Sequence, residues 1–126
     1  MAGKPIGGWK LPRDERARLL ERFPPRYATP VADHVTFKPG PGNASPPKTD
    51  HCVLVGRADD GEGVEAMVVA IHGSTDRPDG STWHITWSLD PGRKAKESND
   101  VIAASGWKPV EGEIRIPLEW SVWHPG

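Results

Sequence analysis

The chain has 126 residues, of which 36% are hydrophobic and 26% charged, with a formal net charge of −1. Those values fit one globular domain spanning residues 1–126, and they exclude a disordered chain or two separate cores. A charge so near zero also excludes capture of nucleic acid or anionic membrane by a global field, so any phosphate contact must be local.

The single Cys52 leaves no internal disulfide, which agrees with a reducing cytoplasm. The opening MAGKPIGGWKLPRDE has no apolar h-region, and no run reaches membrane-spanning length. A cytoplasmic protein without membrane contact is therefore expected. Residues 1–10 carry no predicted element and are read as a flexible lead.

The first predicted element is a helix over residues 12–23, PRDERARLLERF. Pro12 suits its first position, acids follow in the first turn, and Pro24-Pro25 stop it. Leu19, Leu20 and Phe23 recur at helical spacing and are assigned to the core. A strand over 33–37 ends at Pro39, and PGPGNASPPKTD (39–50) is a loop. HCVLVGR (51–57) and VEAMVVAIH (64–72) read as a hairpin around ADDGEG. GSTDRPDG (73–80) is a further turn-rich loop leading into the strand that holds TWHITWSL (82–89). ESNDVIAAS predicts a short helix stopped by Gly106, with Ser98 and Asn99 as candidate caps. EIRIPLEWSVW alternates, placing Ile114, Ile116, Leu118, Trp120 and Val122 on one face, with Pro117 marking an edge or bulge. The order predicts an α+β fold, a mostly antiparallel sheet with two flanking helices.

Two of these strands share a pattern: His34-Val35-Thr36-Phe37 and His84-Ile85-Thr86-Trp87. Alternation puts His34 with Thr36 and His84 with Thr86 on one face, while Val35, Phe37, Ile85 and Trp87 anchor the other. If the strands lie close together, two imidazoles and two hydroxyls converge. Imidazoles titrate near neutral pH and can serve as base and acid in one displacement. Hydroxyls can donate to the oxygens of a phosphoryl group. The bland alternative is equally definite: histidine on a strand often bonds a neighbour, and threonine is common there because it is β-branched.

HVTF and HITW resemble the paired His-x-Thr/Ser motifs of the 2H phosphoesterase superfamily, which includes LigT-like RNA 2′,3′-cyclic phosphodiesterases. LLERFPPRYATPVADHVTF also resembles the lead-in to the first motif in some members. The resemblance implies a pseudo-symmetric antiparallel sheet with the motifs on adjacent inner strands, helices outside, and a metal-independent site in the groove between. It implies His84 as base, His34 as acid, and Thr36 and Thr86 as phosphate ligands. The implied substrate is a nucleotide or an RNA end bearing a cyclic phosphate, with no cofactor. A relative that cuts cyclic oligonucleotides, or one that binds nucleotide without cleaving it, fits the same residues. The chain departs from the family pattern in its length and in the loop PGPGNASPPK, which stands where a helix usually follows the first motif.

Lys38 continues the His34 face and Ser88 the His84 face, so both are candidate ligand contacts; as strand-end residues they are equally candidates for solvent. Arg93, Lys94 and Lys96 form a local basic cluster. Tyr27, with Trp83, Trp107 and Trp123, offers a stacking face for a base, or else simply covers a small core. His72 is assigned to a rim or a structural role. No closely spaced pair of metal ligands occurs, so no metal is expected, and no obligate protein partner is inferred.

Overall fold

A computed structural model of the chain describes residues 5–40 and 42–124. Eight strands and two helices follow in the order β1 (Ile6–Lys10), α1 (Arg13–Arg22), β2 (Thr29–Pro30), β3 (His34–Thr36), β4 (His51–Asp59), β5 (Val64–Ala70), β6 (His84–Leu89), α2 (Glu97–Ser105), β7 (Lys108–Pro117) and β8 (Glu119–Trp123). All pairings are antiparallel, and the architecture is α+β.

The strands run in the order β7-β4-β5-β6-β3-β1-β8, with β2 added beside β6. Leu118 alone separates β7 from β8 in sequence, although the two sit at opposite ends of that path. The sheet therefore has to curl until its ends meet at this residue, whose N–H donates to the Asp50 carbonyl at 2.7 Å. Pro117, which cannot donate to a ladder, ends β7 at the corner.

The inner face holds the main core, including Trp9, Val35, Leu54, Met67, Val69, Ile85, Trp87 and Ile116, each almost free of solvent contact. α1 adds Leu19, Leu20 and Phe23 to this core. It begins after Pro12 with Asp14 and Glu15 in the first turn and ends with Arg22 in the last, as the helix dipole favours. A second, smaller cluster forms on the outer face, where Val101 and Ile102 of α2 cover Ala58, Val64, Ala66 and Val68.

Four expectations need correction. Residues 6–10 are not a flexible lead: β1 lies between β3 and β8 with Trp9 only 1% exposed, and the lead's residues 1–4 lie outside the described residues. Two glycines hid this strand from propensity. Trp120 and Val122 are exposed rather than core: Trp120 pairs with Trp9 and touches its ring on one side, but on the end strand β8 its other side is open, and Val122 pairs with Gly7, which has no side chain to cover it. Ser88 does not continue the His84 face. The register with β5 slips between Thr86 and Ser88, so Ser88 turns inward to donate to Glu65 at 2.7 Å. Neither Ser98 nor Asn99 is a helix cap: both lie within α2, which starts at Glu97, and Ser98 is buried.

Candidate functional site

The two His-x-Thr strands are direct neighbours. β3 pairs with β6 through Val35 and Ile85, both fully buried in the main core. Their flanking residues consequently point outward together, in opposite sequence order: Thr36 lies beside His84, and His34 lies toward Thr86. The imidazoles stand on the diagonal of this arrangement, a relation that spans about 7–8 Å between Cα atoms in a regular antiparallel pair. The entry to β3 is irregular. Ala32 takes a positive φ of 42°, and its N–H donates to the Thr86 carbonyl, so from that bond to the Val35–Ile85 pair the chain entering β3 advances three residues while β6 advances one, an offset of two.

The two halves of the face have different surroundings. His34 is partly open. Its Nδ1 lies 2.9 Å from Asp33 Oδ2, and its ring meets Trp123 edge-on at 4.7 Å between centroids. Gly8 makes that contact possible: a Cβ there would lie 3.0 Å from the Trp123 ring and 2.3 Å from the Val35 carbonyl oxygen. Asp33 also accepts from Arg13 at 3.0 Å and lies 3.8 Å from Lys10 Nζ. Burial acts to raise its pKa, but the hydrogen bonds from His34 and Arg13 outweigh it and hold the carboxyl below its ordinary value.

His84 is covered, with 8% of its surface exposed. Its Nδ1 donates to the Thr82 carbonyl at 2.9 Å, which leaves Nε2 as the unprotonated edge of a neutral ring. Burial lowers its pKa most; the charges of Arg77 and His34 lower it further, against the opposing Thr82 carbonyl. Thr86 is equally covered. Its hydroxyl lies 2.9 Å from the Ser98 hydroxyl and 3.3 Å from the Ala95 carbonyl, so α2 and the turn before it occupy its hydrogen-bonding capacity. Thr36 is more open and lines a cavity of about 410 Å³ with Ile6, Phe37 and Lys38.

Sequence reasoning missed Arg77, which the loop GSTDRPDG delivers to this face. It is 4% exposed, clamped by Asp79 at 2.9 and 3.1 Å, and it donates to the Thr36 carbonyl and to Asn99 of α2. Burial opposes the ionised Asp79 carboxyl, yet hydrogen bonds from Arg77 and Ser81 hold its pKa at about 2. The available signal was an arginine between two aspartates in a loop a few residues before the second motif. Lys10, Arg13 and Asp33, which surround His34, carried no spacing pattern at all.

Other candidates lie elsewhere. Tyr27 is on the opposite side of the sheet, its hydroxyl donating to Asp59 at 2.5 Å and its N–H to the Ser88 hydroxyl; burial, then this bond, raises its pKa. Lys38, by contrast, is exposed just beyond the end of β3 and lines the same cavity as Thr36. Arg93 is consumed by Asp60 and Glu97. His72 sits in a turn at φ 51° with Nε2 2.8 Å from the Lys48 carbonyl, the structural role allowed for it. Trp83 is core, and Trp107 is 38% exposed.

Among the described residues no cluster of three or more His, Cys, Asp or Glu is placed to hold a metal ion, and no helix is long and apolar enough to cross a membrane. Comparison with protein-family models, with curated proteins and with solved structures finds no match to this chain.

Proposed function

We propose that the chain is a metal-independent phosphodiesterase that hydrolyses 2′,3′-cyclic phosphates of nucleotides or RNA ends by two-histidine acid–base catalysis. One observation carries the reading: two His-x-Thr segments flank the Val35–Ile85 pair on one face, and their histidines sit in unlike environments. His84, neutral with a free Nε2 edge, takes a proton from water as the water oxygen attacks phosphorus. The bond from phosphorus to one ribose oxygen breaks, and His34 donates a proton to that oxygen from the ring edge opposite Asp33. Thr36 donates to a non-bridging oxygen. Arg77, fixed by Asp79, contributes positive charge where negative charge gathers. The product is a phosphate monoester.

The test is hydrolysis of a 2′,3′-cyclic mononucleotide, followed by separating the 2′- and 3′-monophosphates. Activity in the wild-type chain that disappears in both His34→Ala and His84→Ala supports the assignment. Retention in either variant, with folding verified by circular dichroism, overturns it.

A second reading has its own observation. The commitment of the Thr86 hydroxyl to α2, together with the cover over His84, favours a nucleotide- or RNA-end-binding module that holds the cyclic phosphate without cleaving it. Saturable binding with no product after long incubation distinguishes it.

A further inference from the structure

β7 and β8 are the two end strands of the sheet path, and they guard their edges differently. β7 carries Pro109 and Pro117, the charges of Lys108, Glu111 and Arg115, and a break in register between Pro109 and Ile114. Prolines, charges and bulges are the devices that keep an edge from pairing with another chain. β8 lacks prolines and bulges. Glu119, at its start, is its only charge, and Trp120 and Val122 are 47% and 58% exposed.

The main-chain direction of β8 follows from the strands beside it. Phe37 N–H donates to the Gly7 carbonyl and Leu11 N–H to the Asp33 carbonyl, so Gly7, Trp9 and Leu11 turn their backbone groups toward β3. Ile6, Gly8 and Lys10 therefore turn theirs toward β8, where Trp123, Ser121 and Glu119 answer them. Trp120 and Val122 point the other way, to the side on which Leu118 N–H reaches the Asp50 carbonyl. Among the described residues, β8 pairs with no strand on that side, and no backbone hydrogen bond continues there past Leu118. The Trp120 ring leans over Gly7 of β1, away from this edge. The edge thus offers the N–H and C=O of Trp120 and of Val122.

We propose that β8 pairs with β8 of a second copy of this chain, antiparallel about a two-fold axis through Ser121, so that the protein is a homodimer. This register sets Trp120 opposite Val122 of the second copy, and Val122 opposite its Trp120. Each pair exchanges N–H and C=O in both directions, so every free group of the edge is used. Centring the axis on Trp120 would set Val122 opposite Leu118, whose N–H Asp50 already holds. Centring it on Val122 would set Trp120 opposite His124, beyond the end of the strand. The side chains agree with the Ser121 axis. An aromatic residue faces a β-branched one, a favourable cross-strand pair, and Glu119 falls opposite Trp123 rather than opposite its own copy. A net charge of −1 gives the two copies little mutual repulsion.

Sedimentation equilibrium of the full chain tests this between about 1 μM and about 1 mM, since one strand pair is a small interface. The expected result is a shift from the monomer mass to twice that mass. Val122→Pro removes an N–H that β1 does not use, so the fold should survive while dimerisation weakens by at least about tenfold. Val122→Lys should weaken it through the side chain alone. Ser121→Cys sets two thiols on the axis, with Cα atoms about 4.5 Å apart, within reach of a disulfide. Oxidation should cross-link that variant into a dimer, whereas the wild type, whose only cysteine is the buried Cys52, should stay uncross-linked. If Val122→Pro does not fold, Val122→Lys decides the outcome. A chain that remains monomeric at about 1 mM overturns the proposal and leaves the edge to a foreign strand or to solvent. Wild-type dimerisation in a folded Val122→Pro overturns it too, as does a dimeric Ser121→Cys that does not cross-link.

Discussion

His34-Val35-Thr36 and His84-Ile85-Thr86 are nearly the same tripeptide on adjacent strands, yet the fold treats them differently. β3 is three residues long, flanked by the glycine-bearing β1, and its polar pair stays partly open. β6 lies between β5 and β3, under α2 and the loop of Arg77, and its pair is 8% exposed at each position. Strand alternation decides which face a side chain takes. What lies over that face is decided by elements remote in sequence, and this is where two like motifs acquire unlike chemistry.

If the two segments form one catalytic unit, the contrast in cover should vanish in kinetics. His34→Ala and His84→Ala should each lower turnover by about 10²–10⁴, the usual worth of a positioned acid or base. The bell-shaped pH–rate profile should lose one limb in each variant. Unequal losses, with one variant near wild type, would break the unit into a functional half and a structural half.

The open half depends on a glycine. Gly8→Ala places a methyl against the Val35 carbonyl, main chain that cannot move aside, and against Trp123. The expected cost is about 1–3 kcal/mol in urea denaturation, with the Trp123 ring displaced from His34. The covered half depends on a hydrogen bond. Thr86→Val leaves the buried Ser98 hydroxyl without its partner and should cost about 1–3 kcal/mol, whereas Thr36→Val should stay within about 0.5 kcal/mol. The double variant Thr86→Val/Ser98→Ala should recover part of that loss, since no polar group is then stranded.

The smallest effect is in pH. The folded pKa of His84 lies below its ordinary value of 6.5, so the unfolded chain takes up this proton first as pH falls. Stability associated with the neutral ring is complete above about pH 6.5 and is lost as pH falls through the lower folded value, at up to about 1.4 kcal/mol per pH unit. Thermal melts between pH 7.5 and 5 should show this slope in wild type and a flatter one in His84→Gln. The carboxylates with lowered pKa, Asp33, Asp50, Asp59, Asp60, Asp79 and Glu97, act in a more acidic window, below their ordinary values of 3.8 for Asp and 4.5 for Glu97.

The periodic elements were legible. The helix over 12–23 appears as Arg13–Arg22, the segment ESNDVIAAS is α2 with Gly106 as its stop although it starts at Glu97, ahead of both candidate caps, and the hairpin strands start where turn residues and alternation placed them. The shared outward direction of both His-x-Thr pairs was legible for the same reason. Legibility failed where long-range packing overrode local pattern. Gly7 and Gly8 disguise β1, although their missing side chains are what admits Trp120 on one face and Trp123 on the other. The bulge that turns Ser88 inward has no local signature. Arg77 reaches the His84 face through loop geometry, which alternation cannot describe.

The junction at Leu118 has a consequence for how the chain reaches this state during synthesis. β1 is made first, but its partner β8 is made more than a hundred residues later, and β8 comes directly out of the strand that zips onto β4. Until that segment leaves the ribosome, Trp9 and its neighbours face an unfinished seam whose edges invite pairing with another molecule. Closure is then a single late event. Removing residues 119–123 would strip β1 of its partner on that side and reopen the edge beside Trp9, while β7 keeps its ladder with β4.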